Sequence, residues 1–315
     1  MSITGSSIEP QVERLYAELA ERGIKLRPHC WVSLEWFSPD GVPGIAVPFY
    51  LLHPRLRRLE RRMMREVDGG NEKWAMRILR HEAGHAVDTA YRLRRRRAYR
   101  DTFGSPSVPY PHEYRPRPGS RRFVQHLGLW YAQSHPTEDF AETFAVWLRP
   151  LSPWRSHYAG WPALAKLECV DDLMHDLRGV PAVVRSRAHI EPLVADRHTL
   201  AEHYAARIAW YHRDSRSPRR DRLIARALTT EATPGHRTAA QLLRRHKPRL
   251  RREVAANLGA SEYEVHQVLR WLSLRCVTRG LYLRGDQRSA ARRLERLVTA
   301  LLADFHRARG PRVAV

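Results

Sequence analysis

Two histidines four residues apart, with a glutamate beside the first, stand at His81-Glu82-Ala83-Gly84-His85. No other feature constrains the chain as much. On an α-helix, four residues turn about 400° and rise roughly 6 Å, so both imidazoles leave nearly one face and can grip one ion. The flanking pattern predicts that helix over 71–93: Trp74, Ile78, His81 and His85 recur at helical spacing, and Leu79, Ala83, Ala86 and Ala90 fill an adjacent stripe. A zinc ion with three protein ligands keeps a fourth position open, lowers the pKa of water there to about 7 and polarises a carbonyl. Glu82 is then the expected general base, taking the proton of the attacking water and passing it to the leaving amine.

Seventeen histidines make a chance HExxH common enough that a second signal is required. The metzincin continuation is excluded, because it needs glycine at position 88 and histidine at 91, where this chain has Asp88 and Tyr91. The third ligand must lie elsewhere, and residues 131–148 offer it. Pro136 and Thr137 suit a helix start, Glu138 and Asp139 complement the positive end of the dipole, and Phe140, Ala141, Phe144, Ala145 and Leu148 form a buried side. Two glutamates four apart on a helix whose other face is apolar are costly to bury without cationic partners. Glu138 is assigned as third metal ligand. Glu142, one turn on, is assigned as the carboxylate that accepts from the far N–H of a ligating imidazole.

HEAGHAVD, followed after a long insertion by Tyr-x6-Glu-x3-Glu, resembles the gluzincin zinc peptidases and, among them, the catalytic domain of anthrax lethal factor. Residues from about 78 to 175 more closely resemble a group of bacterial zinc-binding metallopeptidases, through HEAGHA, WYAQSHPTEDFAETFAVWL and GWPALAKLECVDDLM. The resemblance implies that Glu138 is the metal-binding glutamate, Glu142 its outer carboxylate and Tyr131 the donor to the oxyanion of the tetrahedral intermediate. Chemically a phenol suits that task, although Trp130-Tyr131 reads equally well as a pair of core or rim aromatics. His126 and His135 compete as ligands. The first sits in an apolar run that suits a hydrogen-bonded core histidine, and the second precedes Pro136, where it can cap the helix. Asp88 reads either as an orienting partner of a ligand or as a surface residue. A structural zinc site is not expected, since Cys30, Cys169 and Cys276 are far apart.

A length of 315 residues allows two domains. The reading is α+β: a zincin-like catalytic domain with a small sheet over 1–190, then a mainly helical C-terminal domain over 191–315. In the first, a helix over 8–22 precedes extended segments near 27–36 and 44–52, another helix over 54–66, an irregular proline-rich stretch over 101–120 that can wall or lid the cleft, and helix over 152–178. Pro48 puts the second extended segment at an edge or bulge, where a substrate backbone could pair. In the second domain helices are expected at 200–210, 223–228, 239–258, 262–276 and 290–305. The 254–270 stretch has helix-turn-helix spacing, with Ser261 and Glu264 forming a capping box. Its would-be reading helix opens with Glu262 and Glu264, the wrong sign for phosphates, so a plain helical hairpin is preferred.

The formal net charge of +22 would attract nucleic acid. Yet only Lys25, Lys73, Lys166 and Lys247 are lysines among the basic residues, an arginine skew that GC-rich coding also produces. No apolar run approaches the roughly 20 residues of a bilayer span and no leader-like start is present, so a cytoplasmic location without membrane contact is expected. The favoured reading is a Zn2+-dependent peptidase acting on a peptide or protein substrate. The alternatives are a DNA-binding regulator carrying an associated or inactive peptidase domain, and a zinc-binding scaffold without turnover. Oligomeric state, substrate identity and cleavage preference are not encoded in any pattern recognised in the chain.

Overall fold

The computed structural model describes all residues except 65–66, 112, 115–116, 118, 129, 214–217, 233–234, 259–261, 287–288, 308–312 and 315. The chain divides into two compact units, the first spanning Met1–Arg197 and the second His198–Val313. Both mix helices with short strands and are mostly helical.

In the first unit, α1 (Glu9–Glu21) leads to strands β1 (His29–Ser33) and β2 (Gly44–Pro48). These pair in parallel, His29 opposite Gly44 through Ser33 opposite Pro48. A Cβ on Gly44 would lie 2.5 Å from the His29 ring, so this register requires glycine there. On its other side, β2 accepts an antiparallel bridge from Phe37, whose carbonyl takes the Ala46 N–H at 2.8 Å. That corrects the expectation of a free edge at the second extended segment: all five residues of β2 are buried, and the Ala46 donor is already used.

Helices α2 (Pro54–Met64) and α3 (Glu72–Tyr91) follow. Asn71 starts α3 by accepting from the Trp74 N–H at 2.9 Å, and Arg92, in the left-handed conformation at φ 53°, ends it. The stretch expected to be irregular from 101 begins instead within α4 (Arg97–Phe103), a helix held by Tyr99 and Phe103 against Phe140. After β3 (Glu113–Tyr114) comes α5 (Pro136–Leu148), in which every residue from Thr137 onward is buried. The last helical region is broken into α6 (Trp154–His157) and α7 (Ala163–Asp176). The core lies where α3 crosses α5, with α1 and β2 against α3 and α7 against α5, through Leu15, Ile45, Leu79, Val87, Phe144 and Leu167.

An extended segment closes the unit. Along one face of β1 the alternate side chains of His29, Trp31 and Ser33 bond the carbonyls of Ala188, Ile190 and Glu191 at 3.1, 2.9 and 2.7 Å. His189 stacks on both His29 and Trp31.

The second unit contains α8 (Leu200–Arg213), α9 (Pro218–Ala227), α10 (Ala239–Leu258), α11 (Glu262–Thr278) and α12 (Ala290–Arg307). Two-residue strands β4 (Leu228–Thr229) and β5 (Tyr282–Leu283) pair antiparallel. Leu243, Val254, Val268, Leu272, Val298 and Leu302 fill its core. Ser261, proposed above for a capping box, lies outside the described residues, as does the side chain of Glu264. Among the described residues, no helix is long and apolar enough to cross a membrane.

Candidate metal centre

Helices α3 and α5 approach so closely at one point that a Cβ on Gly84 would lie 2.8 Å from the Ala141 Cα. Gly84 stands between His81 and His85, and Ala141 between Glu138 and Glu142, so the contact brings the imidazoles and the carboxylates together. His81 Nε2 and Glu138 Oε2 are 2.9 Å apart, while His85 Nε2 lies 3.2 Å from each of them. Tetrahedral ligands bonded to zinc at about 2.0–2.1 Å are separated by about 3.3 Å, so this triangle has the right size. Two imidazole nitrogens and one carboxylate oxygen also have the right chemistry. His81, His85 and Glu138 form a group able to hold a metal ion.

Two of the three candidate ligands, His81 and Glu138, are backed from behind. His81 Nδ1 lies 2.9 Å from Glu142 Oε1, and Glu142 Oε2 accepts from the Leu127 N–H at 2.8 Å. With a cation bound, this arrangement would keep the His81 proton on Nδ1 and free Nε2 as the lone-pair donor. Glu138 Oε1 accepts from the Tyr110 hydroxyl at 2.8 Å, which leaves Oε2 for the ion. Tyr110 also meets the Thr137 hydroxyl and stacks on His135 at 3.8 Å. Sequence reasoning missed Tyr110, because nothing in a proline-rich loop marks which tyrosine folds back 28 residues onto a ligand.

Electrostatics favour a cation here. Burial alone would depress the His81 pKa, but the hydrogen bonds and charges of Glu138 and Glu142 outweigh it and hold it well above the usual imidazole value. Burial would raise Glu138, yet His85 and His81 hold it well below the usual carboxylate range. A buried cluster that stabilises positive charge on its ring nitrogens is one that a divalent cation can satisfy.

Glu82 is buried and lies close enough to His81, His85 and Glu138 to feel their charges. Desolvation raises its pKa. Tyr131 lies in a 3-10 turn (Tyr131–Gln133) before α5, with its ring 5.6 Å from His81, and its hydroxyl has no hydrogen-bond partner among the described residues. Burial, then Glu138 and Glu82, raise its pKa, so it is a protonated donor at neutral pH.

The competing candidates have other tasks. His126 is buried, with Nε2 2.8 Å from the Arg77 carbonyl. His135 caps α5, accepting from the Thr137 N–H at 3.2 Å, while its Nε2 reaches the Val108 carbonyl at 2.7 Å. Asp88 is neither on the surface nor orienting a ligand: it is buried and takes the Arg94 N–H and Nε, each at 2.8 Å, closing the end of α3. Asp139 pairs with Lys166 across to α7.

Residues 59–156 match the model of a family described as "Putative zinc-binding metallo-peptidase". The span contains His81, Glu82, His85, Tyr131, Glu138 and Glu142. No curated protein and no solved structure matches the chain.

Proposed function

We propose that the first unit is a zinc peptidase of the gluzincin arrangement, with His81, His85 and Glu138 as ligands and Glu82 as general base. The observation that carries this reading is the triangle of His81 Nε2, His85 Nε2 and Glu138 Oε2, with edges of 2.9–3.2 Å and a buried carboxylate beside it. The matched family model supports the same general kind of function.

Zinc held there supplies Lewis acidity, making water a nucleophile near neutral pH and polarising the amide carbonyl. Glu82 takes the proton released when water adds to the carbonyl carbon, stores it on its carboxylate and returns it to the nitrogen as the C–N bond breaks. Desolvation helps by making Glu82 a stronger base than an exposed glutamate. Tyr131 donates its unpartnered hydroxyl to the oxygen on which negative charge grows. Glu142 fixes the His81 ring, and Tyr110 fixes the Glu138 carboxylate. A peptide or protein is the substrate.

Metal analysis of the purified wild type, His81→Ala, Glu138→Ala and Glu82→Gln, with a proteome-derived peptide pool assayed on the same samples, tests this. Glu82→Gln should retain zinc and lose turnover, and the ligand variants should lose both. Wild-type protein that binds zinc tightly yet cleaves nothing would make the chain a scaffold.

A further inference from the structure

A second concave site lies in the first unit, lined by the opening turns of α3, the end of α5, residues 125–126 and α6, with a volume of about 980 Å³. Its walls carry five cations, Arg14, Lys73, Arg77, Arg80 and Arg149, and Glu72 is the carboxylate among them. Two of the five are already satisfied. Arg80 makes a buried two-pronged pair with Glu18, both contacts 2.6 Å, and Arg14 bonds Glu18 and Glu72. Lys73, Arg77 and Arg149 have no carboxylate partner among the described residues.

Arg77 carries most of the argument. Its guanidinium is half-buried and lies over the Trp74 ring at 5.3 Å. Burial lowers its pKa, the charge of Glu142 opposes that, and the repulsion of Arg149 adds to the lowering. Arg77 and Arg149 line the same cleft and repel each other, so an anion seated between them would gain from both. Met76, Val146 and Trp154 contribute buried apolar wall, which strengthens any ion pair formed against it. The volume is that of a small-molecule pocket, for which about 300–1,000 Å³ is usual.

We infer that this cleft binds a small polyanion, a molecule bearing phosphate groups or clustered carboxylates, seated between Arg77, Arg149 and Lys73. A short chain of hydrogen bonds joins the cleft to the metal centre. Arg77 precedes His81 by one turn, its carbonyl meets His126 Nε2, and the next residue, Leu127, holds Glu142. An occupant gripping Arg77 braces the segment that anchors Glu142.

Isothermal titration calorimetry on the full chain, with inorganic pyrophosphate and with citrate at constant physiological ionic strength, tests the inference without recourse to turnover. Saturable one-to-one binding is expected, weakened about 10–100-fold in Arg77→Gln and in Arg149→Gln. Lys73→Gln and Arg149→Gln alter exposed side chains, so they report on binding even if Arg77→Gln lowers the melting temperature. Arg58→Gln, on the exposed side of α2, should bind as the wild type does. Tighter binding of pyrophosphate than citrate identifies phosphate as the recognised group, and the reverse identifies carboxylates. No binding of either at millimolar concentration, or equal weakening by Arg58→Gln, overturns the proposal.

Discussion

Gly84 and Ala141 meet where α3 crosses α5, at a separation that leaves no room for a methyl group on the glycine. The contact sets the distance between the proposed ligands on the two helices. Gly84→Ala should therefore destabilise the fold by about 1–3 kcal/mol, the usual cost of overpacking. It should also weaken zinc binding, because the atom struck is backbone and the helices themselves must shift. Thermal denaturation with and without chelator reads both effects, and a variant with wild-type melting and metal affinity would show that the crossing has slack.

Tyr131→Phe and Tyr110→Phe separate two roles for a phenol. Loss of the Tyr131 hydroxyl should lower kcat about a hundredfold or more while zinc content stays at wild-type level. Loss of the Tyr110 hydroxyl should weaken zinc binding about 10–100-fold, since it orients Glu138. Competition with a chromogenic chelator gives the affinities, and an exchange of the two phenotypes would reverse the assignment.

Glu142→Gln keeps the shape but replaces the carboxylate that accepts the Nδ1 proton of His81. Zinc affinity should fall about 10–100-fold. Asp88→Asn, near the end of α3, should cost stability without a specific effect on metal.

Glu18 and Arg80 are both buried and bind each other through two hydrogen bonds. Glu18→Ala leaves the guanidinium buried without that partner and should destabilise the first unit by about 3–5 kcal/mol. Replacing the pair together, Glu18→Leu with Arg80→Met, should recover much of that loss in chemical denaturation.

His126 gives the stability a pH dependence. Burial depresses its pKa to about 4, from an ordinary value of 6.5. Between those values the unfolded chain binds a proton that the folded chain refuses. The contribution of His126 to stability is thus full above about 6.5 and is lost as pH falls toward 4, by about 3 kcal/mol in all. His126→Gln should flatten that slope in urea titrations across the window, and an unchanged slope would assign it to other groups.

Helical periodicity was legible where a buried stripe repeats over several turns. It located α1, α3, α5, α10 and α12 to within a few residues of their observed ends. The convergence of His81 with His85 could be read because a helix maps residues four apart onto one face, and Gly84 could have been suspected as a contact point for the same reason. Helix α4 was missed because its seven residues carry only two apolar anchors, Tyr99 and Phe103, among charged neighbours. Asp88 was misread because its burial depends on Arg94 folding back over the helix end, a tertiary event with no local signature. Tyr110 and the Phe37 bridge share that difficulty, since each is fixed by a partner distant in sequence or by an irregular turn.

The segment that lies along β1 determines where this chain can be divided. A fragment ending at residue 178 would strip Trp31 and Ser33 of their acceptors and uncover the buried Trp31 ring. Ending at 190 would sever the strap between Ile190, which serves Trp31, and Glu191, which serves Ser33. An autonomous first-unit fragment must keep the chain through Glu191, and its aggregation in shorter forms would report an uncovered sheet rather than a fault at the metal centre.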